Sequence, residues 1–204
     1  MAIVELVIIF IAFPLLFYFG VVPVPKFIPL VVAFFYALIF LLRNKGFTNQ
    51  SWKIKNRNLL KGILLRTLFF IGVTWLLTFL LLPDRMFFLP KKNLKLWVAI
   101  MLFYPVWSAF TQEVIFRPFF FQRYAKIFKR EKILIVINGL LFGFMHIIFH
   151  NWIAVAGATV MGLVWAYTYS KHNSLLAVSI EHALVGNWIY TVGFGYFFYV
   201  PDFY

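Results

Sequence analysis

Three short clusters of polar residues in the second half of the sequence carry the side chains that could do chemistry. The first is Gln112, Glu113 and Arg117; the second is Phe142 and His146, with His150 beyond; the third is Glu181, His182 and Asn187. Glu113 and Arg117 are four residues apart, so on a helix they share a face and neutralise each other. That spacing suits a structural ion pair and also a carboxylate held ready as a base. Arg117 is charged at any accessible pH, which favours the structural role for it. A lone histidine in an apolar helix is more often a satisfied core residue than a catalyst, but polar clusters recur on three late helices, which favours a functional role for His146 and His182. Gly139 and Gly143 form a small-xxx-small face that lets a neighbouring helix come within contact of His146. His146 and His150 repeat the histidine spacing of a zinc-protease helix, yet Ile147 stands where that motif needs its glutamate. Zinc is therefore a minor alternative, and no metal or other cofactor is expected.

The elements that position these residues are read from composition and hydropathy. The chain has 204 residues, 64% of them hydrophobic and only 12% charged, with a mean hydropathy of +0.91. It lacks the polar surface to cover a soluble globule. The expected fold is all-α: one integral membrane domain over residues 1–204, a polytopic transmembrane bundle of about seven helices, with six to eight allowed. A helix needs about 20 apolar residues to cross the hydrocarbon core. On that ruler the spans fall at roughly 2–22, 27–42, 62–83, 95–121, 133–150, 152–170 and 174–199. The second is short and lies among Pro23, Pro25 and Pro29, so residues 1–42 could hold one span and a re-entrant piece. The last is long for one span, and Gly186, Gly193 and Gly195 leave room for a break. The first has no basic flank and no small-x-small cleavage site, and is expected to be retained.

The net charge of +13 would suggest a nucleic-acid partner in a soluble chain. Here the cations cluster in short loops between apolar runs, and no nucleic acid is expected. Arg43, Lys45, Lys53, Lys55, Arg57 and Lys61 form one loop cluster; Arg123, Lys126, Lys129, Arg130 and Lys132 form another. By the positive-inside rule both loops and the N-terminus are expected in the cytoplasm, in a plasma membrane of bacterial type. Trp52, Trp97, Trp188, Tyr169 and Tyr199 are candidate interfacial anchors. The absence of cysteine removes disulfides, thiolate metal sites and a cysteine nucleophile. Oligomeric state is left open. Charged residues within a span cost about 2.5–3.5 kcal/mol on insertion scales, so the three clusters are functional or structural exceptions by default.

At these clusters the sequence resembles the CPBP family, the CAAX proteases and bacteriocin-processing enzymes also called Abi proteins. That family carries Glu-Glu-x-x-x-Arg, then Phe-x-x-x-His, then His-x-x-x-Asn/Asp, on separate transmembrane helices. Here the stretches read QEVIFR (Gln112–Arg117), FGFMH (Phe142–His146) and HALVGN (His182–Asn187), within a core of about residues 95–199. The resemblance implies hydrolysis of a peptide bond in a membrane-associated peptide or protein, by a water that glutamate and histidine activate. It implies Glu113, His146, His182 and Asn187 as the catalytic set, with His182 and Asn187 donating to the oxyanion. Gln112, Arg117, Phe142, Glu181 and His150 support them.

The sequence departs from the family pattern at two positions. Gln112 stands at the first glutamate of the pattern, and Gly186 stands at its Asn, with Asn187 one residue further on. A glutamine cannot accept a proton, so a protease with this sequence needs Glu113 as its base. Span four would then have to rotate or distort, for which Pro105 and Pro118 offer the means, while Gln112 holds water or substrate backbone through its amide. The alternatives are a catalytically inactive relative that binds a membrane peptide or partner in the same cavity, or a zinc-dependent intramembrane protease. A transporter or proton relay ranks lower, because no paired halves with matching broken helices are visible.

Overall fold

Every long apolar stretch becomes a helix in the computed structural model, which describes residues 2–25, 27–54 and 56–198. The long helices are α1 (Ala2–Tyr18), α2 (Phe27–Arg43), α3 (Arg57–Leu81), α4 (Leu94–Tyr124), α5 (Glu131–Phe149), α6 (Trp152–His172) and α7 (Leu175–Val192), and a short helix, Phe88–Lys92, precedes α4. Helices α3 to α7 are long and apolar enough to cross a membrane, whereas α1 and α2 are shorter. This is the all-α bundle that the hydropathy pattern predicts. Lys55 of the basic loop and Tyr199 of the candidate anchors lie outside the described residues. The expected break in the last span falls at Gly193, whose φ of +124° a side chain would adopt only under strain; α7 ends there, and a 3₁₀ turn, Phe194–Phe198, comes next.

Local chemistry sets where the helices start. Asn56, Asn93, Asn151 and Ser174 cap α3, α4, α6 and α7, each side chain accepting a hydrogen bond from a backbone N–H in the first turn. Such caps satisfy donors that a helix start otherwise leaves without partners. Asn151 also donates to the carbonyl of Phe197 at 2.6 Å, which ties the 3₁₀ turn to the start of α6.

Helix α7 is the most buried of the five long helices. It packs against α3 on one side and against the middle of α4 on the other. The α3–α7 contact is a polar seam: Arg66 Nε and Nη2 donate to the two Glu181 oxygens at 2.8 and 2.7 Å, and Trp188 Nε1 donates to Thr74 Oγ1 at 2.8 Å. Away from this seam α3 is bare apolar surface, with Leu65, Phe69 and Leu81 all more than two-thirds exposed. A face of that kind is covered by lipid.

The small face of α5 meets α6. A Cβ added at Gly139 would lie 2.8 Å from the backbone nitrogen of Leu163, and one at Gly143 would lie 2.9 Å from the Cα of Thr159. Neither helix can yield without moving backbone. Gly143→Val is therefore expected to lower stability by about 1–3 kcal/mol, the usual cost of overpacking. The measurement is the thermal midpoint in detergent, and an unchanged midpoint would contradict the close α5–α6 contact.

Candidate active site

The site is built around a helix that is not regular. Within α4 two stretches, Pro105–Phe110 and Ile115–Phe119, run as wider π turns. Proline has no N–H to give to the turn behind it, and single π turns absorb such losses. In the second stretch the N–H of Phe120 bonds to the carbonyls of Arg117 and Ile115 and passes over that of Phe116. The Phe116 carbonyl left over accepts from Asn138 Nδ2 on α5 at 2.7 Å. The sequence expectation that Pro105 and Pro118 distort this span thus has a concrete form, and the distortion recruits a partner helix.

Behind the site lies a chain of polar groups sealed from solvent. Glu113, Arg117 and Asn138 are 0% exposed and His182 is 4% exposed. Glu113 Oε2 accepts from Arg117 Nε at 2.7 Å, and Glu113 Oε1 lies 2.9 Å from His182 Nδ1. Arg117 Nη1 donates to Asn138 Oδ1, and the guanidinium sits over the Phe142 ring at 5.3 Å. The His182 ring stacks on Trp165 of α6, with centroids 4.1 Å apart and planes 21° apart, and meets the edge of Phe142 at 5.7 Å. Helices α4, α5, α6 and α7 each contribute to this cluster. A buried charge survives when it is paired and its remaining donors and acceptors are met, and the Glu113 carboxylate is in that condition.

In front of this chain is a cavity of about 1070 Å³ with mostly apolar walls, in which Gln112, His146, His182, Tyr104 and Ser108 stand as polar groups. Glu113 is not on the wall, so the distortion of α4 does not turn it to the cavity as a base acting directly on water would require. Its carboxylate reaches the cavity through His182. Gln112 does face the cavity, and its Nε2 donates to Ser108 Oγ at 2.9 Å. His146 Nδ1 lies 2.8 Å from the carbonyl of Phe142, which can only accept, so Nδ1 carries the proton and Nε2 is left as an acceptor.

The structure thus gathers Gln112, Phe142, His146 and His182 at one cavity and places Glu113 and Arg117 directly behind them. It leaves three sequence candidates elsewhere. Glu181 is spent on Arg66, in the seam with α3. Asn187 donates to the carbonyl of Met101 at 3.2 Å and is absent from the cavity wall. His150 comes after a 3₁₀ turn, Met145–Phe149, and has a φ of 57°, so it does not share a helical face with His146 as their spacing suggests; it stacks on Tyr18 at 4.6 Å. Among the described residues no three His, Asp or Glu side chains gather as a metal's ligand set.

Sequence reasoning passed over Asn138 as a site residue, and with it Trp165, Tyr104 and Ser108. The signal for three of them was present. Tyr104, Ser108 and Gln112 succeed one another in steps of four, as do Asn138, Phe142 and His146, and residues so spaced line one helical face. Trp165 had no such signal.

No curated protein and no solved structure matches the chain. A family profile does: residues 94–189 match that of the Rce1-like type II CAAX prenyl endopeptidases. The matched stretch runs from the start of α4 through most of α7 and holds every member of the buried cluster and its cavity-facing neighbours. That match over residues 94–189 of this membrane protein is consistent with the CPBP/CAAX protease family.

Proposed function

We propose that the chain is an intramembrane endopeptidase that hydrolyses a peptide bond of a membrane-associated substrate, with His182 as base and Glu113 acting through it. One observation carries this reading: His182 lines the cavity while its Nδ1 lies 2.9 Å from the sealed Glu113 carboxylate. With Nδ1–H given to Glu113, Nε2 is the nitrogen left to meet water. A carboxylate so placed fixes the tautomer and stabilises the imidazolium that forms as the ring takes a proton. His182 Nε2 takes a proton from water as the water oxygen adds to the substrate carbonyl. The C–N bond then breaks and the proton passes from His182 to the departing amine. Gln112 holds the water or the substrate backbone through its amide, and His146 Nε2 accepts a hydrogen bond from the water. Incubation of the purified protein in liposomes with membrane peptides, followed by mass spectrometry, tests the reading. New peptide termini are expected with the native chain and none with His182→Gln; cleavage by both would remove His182 from the mechanism.

A second reading is a relative that binds a membrane peptide in the same cavity and leaves it intact. It is favoured by the absence of any carboxylate from the cavity wall among the described residues, and by the Arg117 charge that already balances Glu113.

The orientation in the membrane is read from the loops. We infer that residues 43–61 and 122–132, which hold about eleven of the nineteen Lys and Arg residues, face the cytoplasm. Single cysteines introduced in each loop are expected to react with an impermeant reagent only from the cytoplasmic side. Labelling of both from outside would reverse the orientation.

A further inference from the structure

A cavity that hydrolyses a peptide bond needs a donor for the carbonyl oxygen, and the residue that the family pattern suggests for that work is turned away. The Asn187 amide is given to the Met101 carbonyl. The neighbouring residue that does reach the cavity wall is Gly186, which has no side chain. Its space is occupied from another helix: a Cβ built at Gly186 would overlap the ring and the hydroxyl of Tyr104. Tyr104 lies on α4 two steps of four before Gln112 and lines the same cavity. Its ring meets His182 edge-on at 6.0 Å and Tyr190 at 5.5 Å, so its position is fixed on two sides. Other hydroxyls on the wall are already engaged, Ser108 by Gln112 and Thr74 by Phe70 and Trp188. Among the described residues no hydrogen-bond partner engages the Tyr104 hydroxyl.

We propose that Tyr104 is a catalytic residue of this chain, its hydroxyl donating a hydrogen bond to the carbonyl oxygen of the scissile bond in the space that Gly186 leaves. Donors aimed at a developing oxyanion act where water is excluded and charge appears, which is where one hydrogen bond is worth most. The missing side chain at 186 and the tyrosine at 104 form one device, since a larger residue at 186 would expel the phenol. The proposal rests on the hydrolase reading.

The test uses the full chain in liposomes and two readouts. In the first, Tyr104→Phe is expected to lower kcat by roughly 100-fold while KM rises by no more than about tenfold. In the second, no cleavage is needed. Two peptides differ only at the scissile amide, one carrying a ketomethylene that keeps the carbonyl and the other an ethylene that lacks it. Binding is read from tryptophan fluorescence, to which Trp165, stacked on His182, contributes. The native chain is expected to prefer the carbonyl peptide by roughly tenfold, about one hydrogen bond's worth, and Tyr104→Phe to show no preference. Gly186→Ala, which keeps the hydroxyl and displaces the ring, is expected to reproduce both losses and to add little to Tyr104→Phe. Unchanged kcat in Tyr104→Phe, in a native chain that does cleave, overturns the proposal and leaves the hydrolase reading standing. A native chain that cleaves nothing but prefers the carbonyl peptide through Tyr104 removes the hydrolase reading and keeps Tyr104 as the donor to a bound carbonyl. No preference in the native chain overturns the donor role itself.

Discussion

Glu113→Gln is expected to lower kcat on a membrane peptide by about 10⁴-fold, the loss seen when the acid behind a catalytic imidazole becomes an amide. The carboxylate touches His182 Nδ1 at 2.9 Å and is sealed from solvent, so the effect passes entirely through the imidazole. An amide at 113 keeps one oxygen to accept from Arg117 but loses the charge that stabilises the imidazolium. Folded protein is therefore expected, with a lowered thermal midpoint, and kcat measured on monodisperse protein separates the two effects. Retained cleavage in that sample would mean that Glu113 serves only as the counterion of Arg117.

Arg117→Leu is the change expected to damage the fold most. The side chain is fully buried and bonds to Glu113 and Asn138, thereby joining α4 to α5 and supporting the carboxylate that meets α7. Its removal leaves a buried carboxylate short of a charged partner and an Asn138 oxygen without its donor. Breaking a buried pair from one side costs about 3–5 kcal/mol, a large share of the stability of an ordinary domain. Loss of monodisperse protein in detergent is expected. Arg117→Lys restores little, because a single ammonium cannot reproduce the fork that reaches two acceptors. Purification of Arg117→Leu with a native yield and midpoint would show that the pair contributes nothing to the fold.

Much of this was legible from residue types and spacing. Hydrophobic runs fix where helices lie, because lipid leaves the backbone no other way to satisfy its polar groups, and Glu113 with Arg117 could be paired from a spacing of four. What spacing could not give was direction. Gln112 and Glu113 are adjacent, and spacing does not say which of the two turns inward; in the structure, between the π turns at 105–110 and 115–119, the amide faces the cavity while the acid faces Arg117 and His182. His150 misled because the four-residue interval implies a shared face only on an α-helix, and the chain has already left that geometry at Met145. Asn187 misled in a related way: it stands one residue beyond a wall position, and neighbours on a helix are turned by about 100°. Trp165 could not be found from the sequence at all, since its contact with His182 depends on how α6 and α7 pack.

The most direct measurement of the central claim compares the native chain with Gln112→Glu, in liposomes, for cleavage of the same membrane peptides. If His182 backed by Glu113 is the base, the native chain cleaves, Glu113→Gln does not, and Gln112→Glu alters the rate by no more than about tenfold, a difference of roughly 1.4 kcal/mol in the barrier. A native chain that cleaves nothing, beside a Gln112→Glu variant that does, would contradict this and make the cavity a binding site whose base has been replaced by an amide.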